Sequence, residues 1–186
     1  MKAMSRPLAR ATALALALAT FAAPALAEAG RGPSTPAERK RAVDITRKLE
    51  RTPFGPSADA DRKWLFKWII DIPDITVRGC ASPLVALLQD DGSRHGRMLY
   101  AQSMFGQTVF MIQNPARKDD WVAIQTAGIE STLRAYQAMK QADPQIAWQE
   151  LDLLLEASKS GRLAEFVEEN MEGCSAEEGP SPGDAI

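Results

Sequence analysis

The hydrophobic and polar positions of this chain repeat at helical spacing almost throughout. The densest stretch is Arg62 to Val77, RKWLFKWIIDIPDITV. Lys63, Lys67 and Asp71 fall four apart and form one narrow polar stripe, while Trp64, Leu65, Phe66, Trp68, Ile69, Ile70 and Ile72 occupy the rest of the circumference. A helix apolar on most sides asks for neighbours on most sides. The pattern therefore predicts a central helix over about 58–72, ended by Pro73, which lacks an N–H and crowds the turn before it.

Other helices follow from caps and stops. Thr35-Pro36-Ala37-Glu38 reads as a capping box with proline at the first helical position. The helix it opens runs to about Arg51 with a thin apolar stripe, Ala42, Ile45 and Leu49. The stretch from Pro73 to Gly79 reads either as extended or as a short turn capped by Asp74. Ser82-Pro83 opens a short apolar helix, Leu84 to Leu88, followed by an Asp-Asp-Gly-Ser turn. Arg94 to Gln113 is a long helix with Met98, Ala101, Phe105, Val109 and Ile112 on one face. Gly106 inside it costs about 1 kcal/mol against alanine, and close approach of a tryptophan from the central helix is the expected compensation. Asn114-Pro115 stops this helix, and Asp119 or Asp120 caps the next, Trp121 to Ala142. Asp143-Pro144 reads as a cap with proline at the first position of a helix that buries Trp148, Leu151, Leu154 and Leu155. Ser160-Gly161 separates this from a last helix, Leu163 to Met171, ended by Gly173. No alternation is long enough for a sheet. The class is all-α: a compact irregular bundle of six or seven helices with short connections.

The ends read differently. Lys2, Arg6 and Arg10 precede an apolar run, Ala11 to Ala22, and Ala25-Leu26-Ala27 is a small-x-small cleavage signal, so residues 1–27 read as a signal peptide cut after Ala27. The apolar run is short for a bilayer span, and no stable membrane anchor is expected after cleavage. Residues 28–34 read as a flexible spacer, 35–174 as one helical domain, and 175–186, rich in Gly, Pro and acid, as a disordered tail. Cleavage removes three basic groups and no acid, taking the formal charge from −2 to −5 and leaving 159 of 186 residues. An acidic exported domain without a Lys/Arg cluster is a poor partner for nucleic acid or anionic lipid.

Few residues point to chemistry. His95 is the lone histidine, with no Cys/His spacing to make a metal site; neither metal nor cofactor is expected, and a structural role at a helix start is. Cys80 and Cys174 are the two cysteines. In an oxidising compartment two cysteines make one disulfide, which would tie the last helix to the core. Asp71, Asp74 and Arg78 form a polar cluster around Pro73. Two carboxylates beside a buried apolar helix could have raised pKa values, as acid–base work requires; the plainer reading pairs Asp71 with Lys67 and makes Asp74 a cap. Met98, Met104 and Met111 on the long helix suit a core or an adaptable apolar groove.

The segments RKWLFKWIIDIPDITV, MFGQTVFMIQNP, AGIESTLRAY and LDLLLEASKSGRL resemble an uncharacterised family of small exported bacterial proteins, over most of residues 60–170. The resemblance implies bacterial origin and export, and no activity. Two functional readings follow. The first is a non-catalytic exported domain that binds an envelope protein or a small apolar ligand. The second is a cell-envelope hydrolase of peptidoglycan type using a single carboxylate. Glu130, in Gly128-Ile129-Glu130-Ser131, resembles the start of the Glu-Ser motif of lysozyme-like transglycosylases; the rest of that pattern is missing.

Overall fold

The computed structural model describes residues 31–78 and 93–170, all within one compact unit. Among the described residues there are six α-helices and no strand. In chain order these are α1 (Pro36–Arg51), α2 (Ala58–Asp71), α3 (Arg94–Gln113), α4 (Trp121–Ala142), α5 (Gln149–Lys159) and α6 (Leu163–Asn170). A single 3-10 turn, Pro115–Arg117, joins α3 to α4. The all-α helical bundle is therefore as the periodicity predicts.

Local signals set most boundaries. At α1 the capping box is formed: Glu38 N–H donates to Thr35 Oγ1 at 3.3 Å and Thr35 N–H to Glu38 Oε2 at 2.8 Å. Ser93 caps α3 by accepting from Gly96 N–H at 2.9 Å, and Asp120 caps α4 by accepting from Ala123 N–H at 3.1 Å. Each closes one of the donors a helix start leaves open. Gly161, at φ 73°, takes the left-handed turn after α5 that a side chain would strain.

The bundle is organised around α3 and α4, not around α2. These two make the most extensive helix–helix contact among the described residues. The reason is at their crossing. A Cβ on Gly106 would lie 2.4 Å from Ser131 Cβ and 2.8 Å from Ala127 O; one on Gly128 would lie 3.0 Å from both Gln107 Cγ and Ser103 O. The two glycines let the backbones touch, so Gly106 faces α4 rather than a tryptophan of α2. The seam is also polar: Gln102, Ser103, Gln107, Thr108, Gln125, Ser131 and Thr132 are all buried.

Two apolar clusters flank this seam. One joins the start of α3 and the later turns of α4 to α5 and α6 through Met98, Leu99, Leu133, Tyr136, Met139, Leu151 and Val167. The other joins α1 and α2 to the later turns of α3 through Ala42, Leu49, Leu65, Trp68 and Phe105. α2 packs through one face only. Leu65, Trp68 and Ile69 are buried, whereas Ile70 is 72% exposed and Phe66 38%. Trp68→Ala should therefore lower stability by about 3–5 kcal/mol, and Lys63→Ala should stay within about 0.5 kcal/mol of the parent. Urea unfolding of both variants gives the comparison; equal midpoints would place Trp68 on the outside.

Asp143-Pro144 does not open a helix. Asp143 instead accepts from Gln145 N–H at 3.0 Å in a local turn, and α5 starts five residues later. Trp148 stands at its N-cap, where its N–H donates to Tyr136 Oη at 2.9 Å. A buried tyrosine hydroxyl that needs a partner has thus taken the backbone group that would have continued the helix backwards. The short helix expected over 84–88, the Asp-Asp-Gly portion of its following turn, the end of the last helix at Gly173 and both predicted terminal segments through residue 30 and from 175 lie outside the described residues. So do Cys80 and Cys174, the pair expected to form the disulfide.

Candidate binding cleft

Two chain stops and one helix start converge at one end of the α3–α4 pair. Pro73 ends α2, and the following residues cross the end of α3 without regular structure. Asn114-Pro115 ends α3, and the 3-10 turn reverses the chain into α4 within a few residues. Asp120 holds that reversal from both sides, taking Arg117 at 2.8 Å on one oxygen and Ala123 N–H on the other. Trp121, first residue of α4, is thereby fixed beside Ile75 and the last turn of α3.

Between these segments lies a cleft of about 320 Å³, at the small end of the range for ligand sites. Ile75, Met111, Ile112, Pro115 and Trp121 give it apolar walls, and Arg39, Asp74, Arg78, Lys118 and Asp119 supply charge. The Arg78 guanidinium lies 4.8 Å from the centre of the Trp121 ring, a cation–π contact that orients both. Asp74 anchors the opposite wall. Its carboxylate accepts from Ser34 N–H at 2.8 Å, Ser34 Oγ at 2.7 Å and Arg39 at 2.8 Å.

The candidate cluster Asp71, Asp74 and Arg78 is only partly assembled. Asp74 and Arg78 share the cleft. Asp71 pairs with Lys67 at 2.8 Å along α2, as its spacing predicts, and lines a separate groove with Trp64 and Trp68. Asp74 caps no turn; it ties the chain after α2 to the start of α1. Nor is it a poised acid. Desolvation pushes its pKa up, but the Ser34 backbone and hydroxyl bonds and Arg39 outweigh that and hold it below its usual value.

Glu130 lies on the exposed side of α4, its side chain 47% accessible, 3.6 Å from Arg134 one turn on. It borders a notch of about 130 Å³ together with Glu50, Arg47 and Arg134. Glu50 is the one buried carboxylate among the described residues. It accepts from Ser131 Oγ at 2.7 Å, Arg134 at 2.9 Å and Arg47 at 3.1 Å, and Ser131 in turn accepts from Gln102 Nε2 at 2.9 Å. Burial favours the neutral acid, yet the bonds from Arg134 and Ser131 and the two arginine charges hold its pKa below 4.5. Glu50 thus stands between two arginines, an arrangement that keeps its carboxylate ionised rather than readying it to donate a proton. Sequence reasoning did not single out Glu50. The available signal was weak: Thr46 and Glu50, four apart, border the apolar stripe of α1.

His95 packs its ring on Phe54, 5.5 Å between centres. No group of three or more His, Cys, Asp or Glu that could hold a metal occurs among the described residues. The three methionines do not line one groove: Met98 is in the cluster with α5 and α6, and Met111 is in the cleft wall. Comparison with protein-family models, with curated proteins and with solved structures finds no match.

Proposed function

We propose that this is a non-catalytic domain, exported to the bacterial envelope, that binds a small, largely apolar ligand in the cleft beside Trp121. The observation that supports this most is the cleft itself: apolar walls from three converging segments and a charged rim whose members are tied to neighbours. Ligand sites combine apolar surface with placed polar groups, and this cleft holds both, five apolar side chains beside five charged ones. The hydrolase reading would need a carboxyl group set in a cleft that admits a glycan, and Glu130 borders only a notch of about 130 Å³ on the exposed side of α4.

Trp121 makes the reading testable, because a ligand against an indole changes its fluorescence. Titration of the mature protein with 1-naphthol should quench emission saturably, and Trp121→Phe should remove that component while the other three tryptophans still emit. A peptidoglycan gel assay offers the opposite result: clearing by the wild type that disappears in Glu130→Gln would replace binding with hydrolysis.

Membership of the exported family that the sequence resembles belongs to the same proposal, as do cleavage after Ala27 and the Cys80–Cys174 bridge. Protein recovered from the envelope should have an intact mass that begins at Glu28, and denatured without reductant it should show no reactive thiol. A chain retaining Met1 in the membrane fraction, or two free thiols, would remove the corresponding element.

A further inference from the structure

We infer that the cleft's ligand carries one group that both donates and accepts a hydrogen bond, a hydroxyl or a carboxamide on an apolar body, and that Gln107, Gln125 and Trp121 recognise it. This rests on the binding reading above and narrows it.

Gln107 and Gln125 face each other across the α3–α4 seam, 2% and 4% exposed. Their amides share one hydrogen bond, Gln107 Nε2 to Gln125 Oε1 at 3.1 Å. Gln107 Oε1 and Gln125 Nε2 are buried and have no partner, and so is Trp121 Nε1. Exchanging O and N in both amides does not alter the count. Two amides joined by one such bond always leave one acceptor and one donor. Leaving such groups unpaired in an interior is unfavourable enough to be rare.

Their position links them to the cleft. Met111 lies four residues after Gln107 on α3, and Trp121 four before Gln125 on α4, so each glutamine sits one helical turn from a side chain that lines the cleft. The wall residue Trp121 and the two glutamines one turn behind the wall thus present two donors and one acceptor to satisfy. Met111, unbranched and flexible, is the side chain best able to give way between them. A hydrocarbon satisfies none of the three groups. A carboxylate supplies acceptors only and leaves Gln107 Oε1 without a donor. A hydroxyl, with one donor and two lone pairs, matches all three, and a carboxamide does likewise.

Three probes of one shape decide the point: naphthalene, 1-naphthol and 1-naphthoate, titrated into the mature protein by equilibrium dialysis. The expected result is one site, with 1-naphthol bound about tenfold more tightly than either of the others, the scale of one well-made buried hydrogen bond. In Gln107→Met/Gln125→Met that preference should vanish while naphthalene binding persists. Naphthalene equal to 1-naphthol in the wild type would overturn this inference and leave the binding reading standing. Tightest binding of 1-naphthoate would also overturn it, making the ligand an anion. Failure of all three to bind at their solubility limits would overturn both. The wild-type ranking needs no variant to fold, and Trp121→Phe, with its volume nearly kept, should lower the 1-naphthol preference on its own.

Discussion

Gly106→Ala should lower the unfolding free energy by about 3 kcal/mol, and Gly106→Val should lower it further, to the point where little folded protein is recovered. In an isolated helix the alanine would be favoured by about 1 kcal/mol. Here the added methyl meets Ser131 Cβ at 2.4 Å and the Ala127 carbonyl at 2.8 Å, both held by α4 itself rather than by a flexible side-chain tip. The helices must part to admit it. Parting them loosens every contact along the seam, including the bonds among Gln102, Ser131 and Glu50. Gly32→Ala is the control, since a Cβ there meets nothing within 4 Å. Urea denaturation of the three variants measures the effect. Gly106→Ala as stable as the parent would mean that α3 and α4 do not touch at this level.

Glu50→Ala should have the second large effect, about 3 kcal/mol, the lower end of what breaking a buried ion pair costs. The lower end applies because Arg47 and Arg134, 38% and 40% exposed at their side chains, turn to solvent when the carboxylate is gone. Ser131, fully buried, loses its acceptor and has no such escape. The same residue shapes the acid limb of stability. Its pKa is lower folded than unfolded, so the unfolded chain binds the proton more readily. Its contribution is therefore complete above about pH 5 and is lost as pH falls through the lowered folded value. Asp61, Asp74 and Asp152 are shifted in the same direction and steepen the same limb. Comparing Glu50→Gln with the parent isolates the one group: the two should converge in stability as pH falls from 6 toward 3, roughly. Parallel curves would remove the buried ion pair from the account.

The sequence conveys the helices better than their places. Proline stops and Ser, Thr or Asp caps are local physics, and Pro36, Pro73, Ser93 and Asp120 act where they stand in the chain. Centrality is not local. α2 has the densest apolar run, yet Ile70 ends up in solvent, while α3 and α4 hold the middle with glutamine, serine, threonine and glycine. On a hydropathy reading those residues mark an exposed face. They are inside because they satisfy one another across the seam, and because glycine lets two backbones come close enough for them to do so. The cleft was half legible. Asp74 and Arg78 were singled out as polar groups beside Pro73, and both line it. Met111, Pro115 and Trp121 belong to it only because a 3-10 turn folds the start of α4 back against the end of α3, which no periodicity reports. Glu50 was hidden for the opposite reason: a glutamate near the end of a helix bordered by arginines looks like solvent-exposed charge until α4 is laid against it.

Two apolar clusters that share only α3 and α4 have a consequence for how the molecule opens. Each cluster can loosen without exposing the other, because the polar seam stands between them. Amide hydrogen exchange should then fall into three groups under native conditions. Protons of α5 and α6 should exchange through one partial opening, those of α1 and α2 through another, and those at the Gly106–Gly128 crossing only when the whole domain unfolds. A ligand in the cleft beside Trp121 touches Ile75, Met111 and Ile112, all on the α1–α2 side. It should slow exchange in that half and leave α5 and α6 to breathe at their former rate.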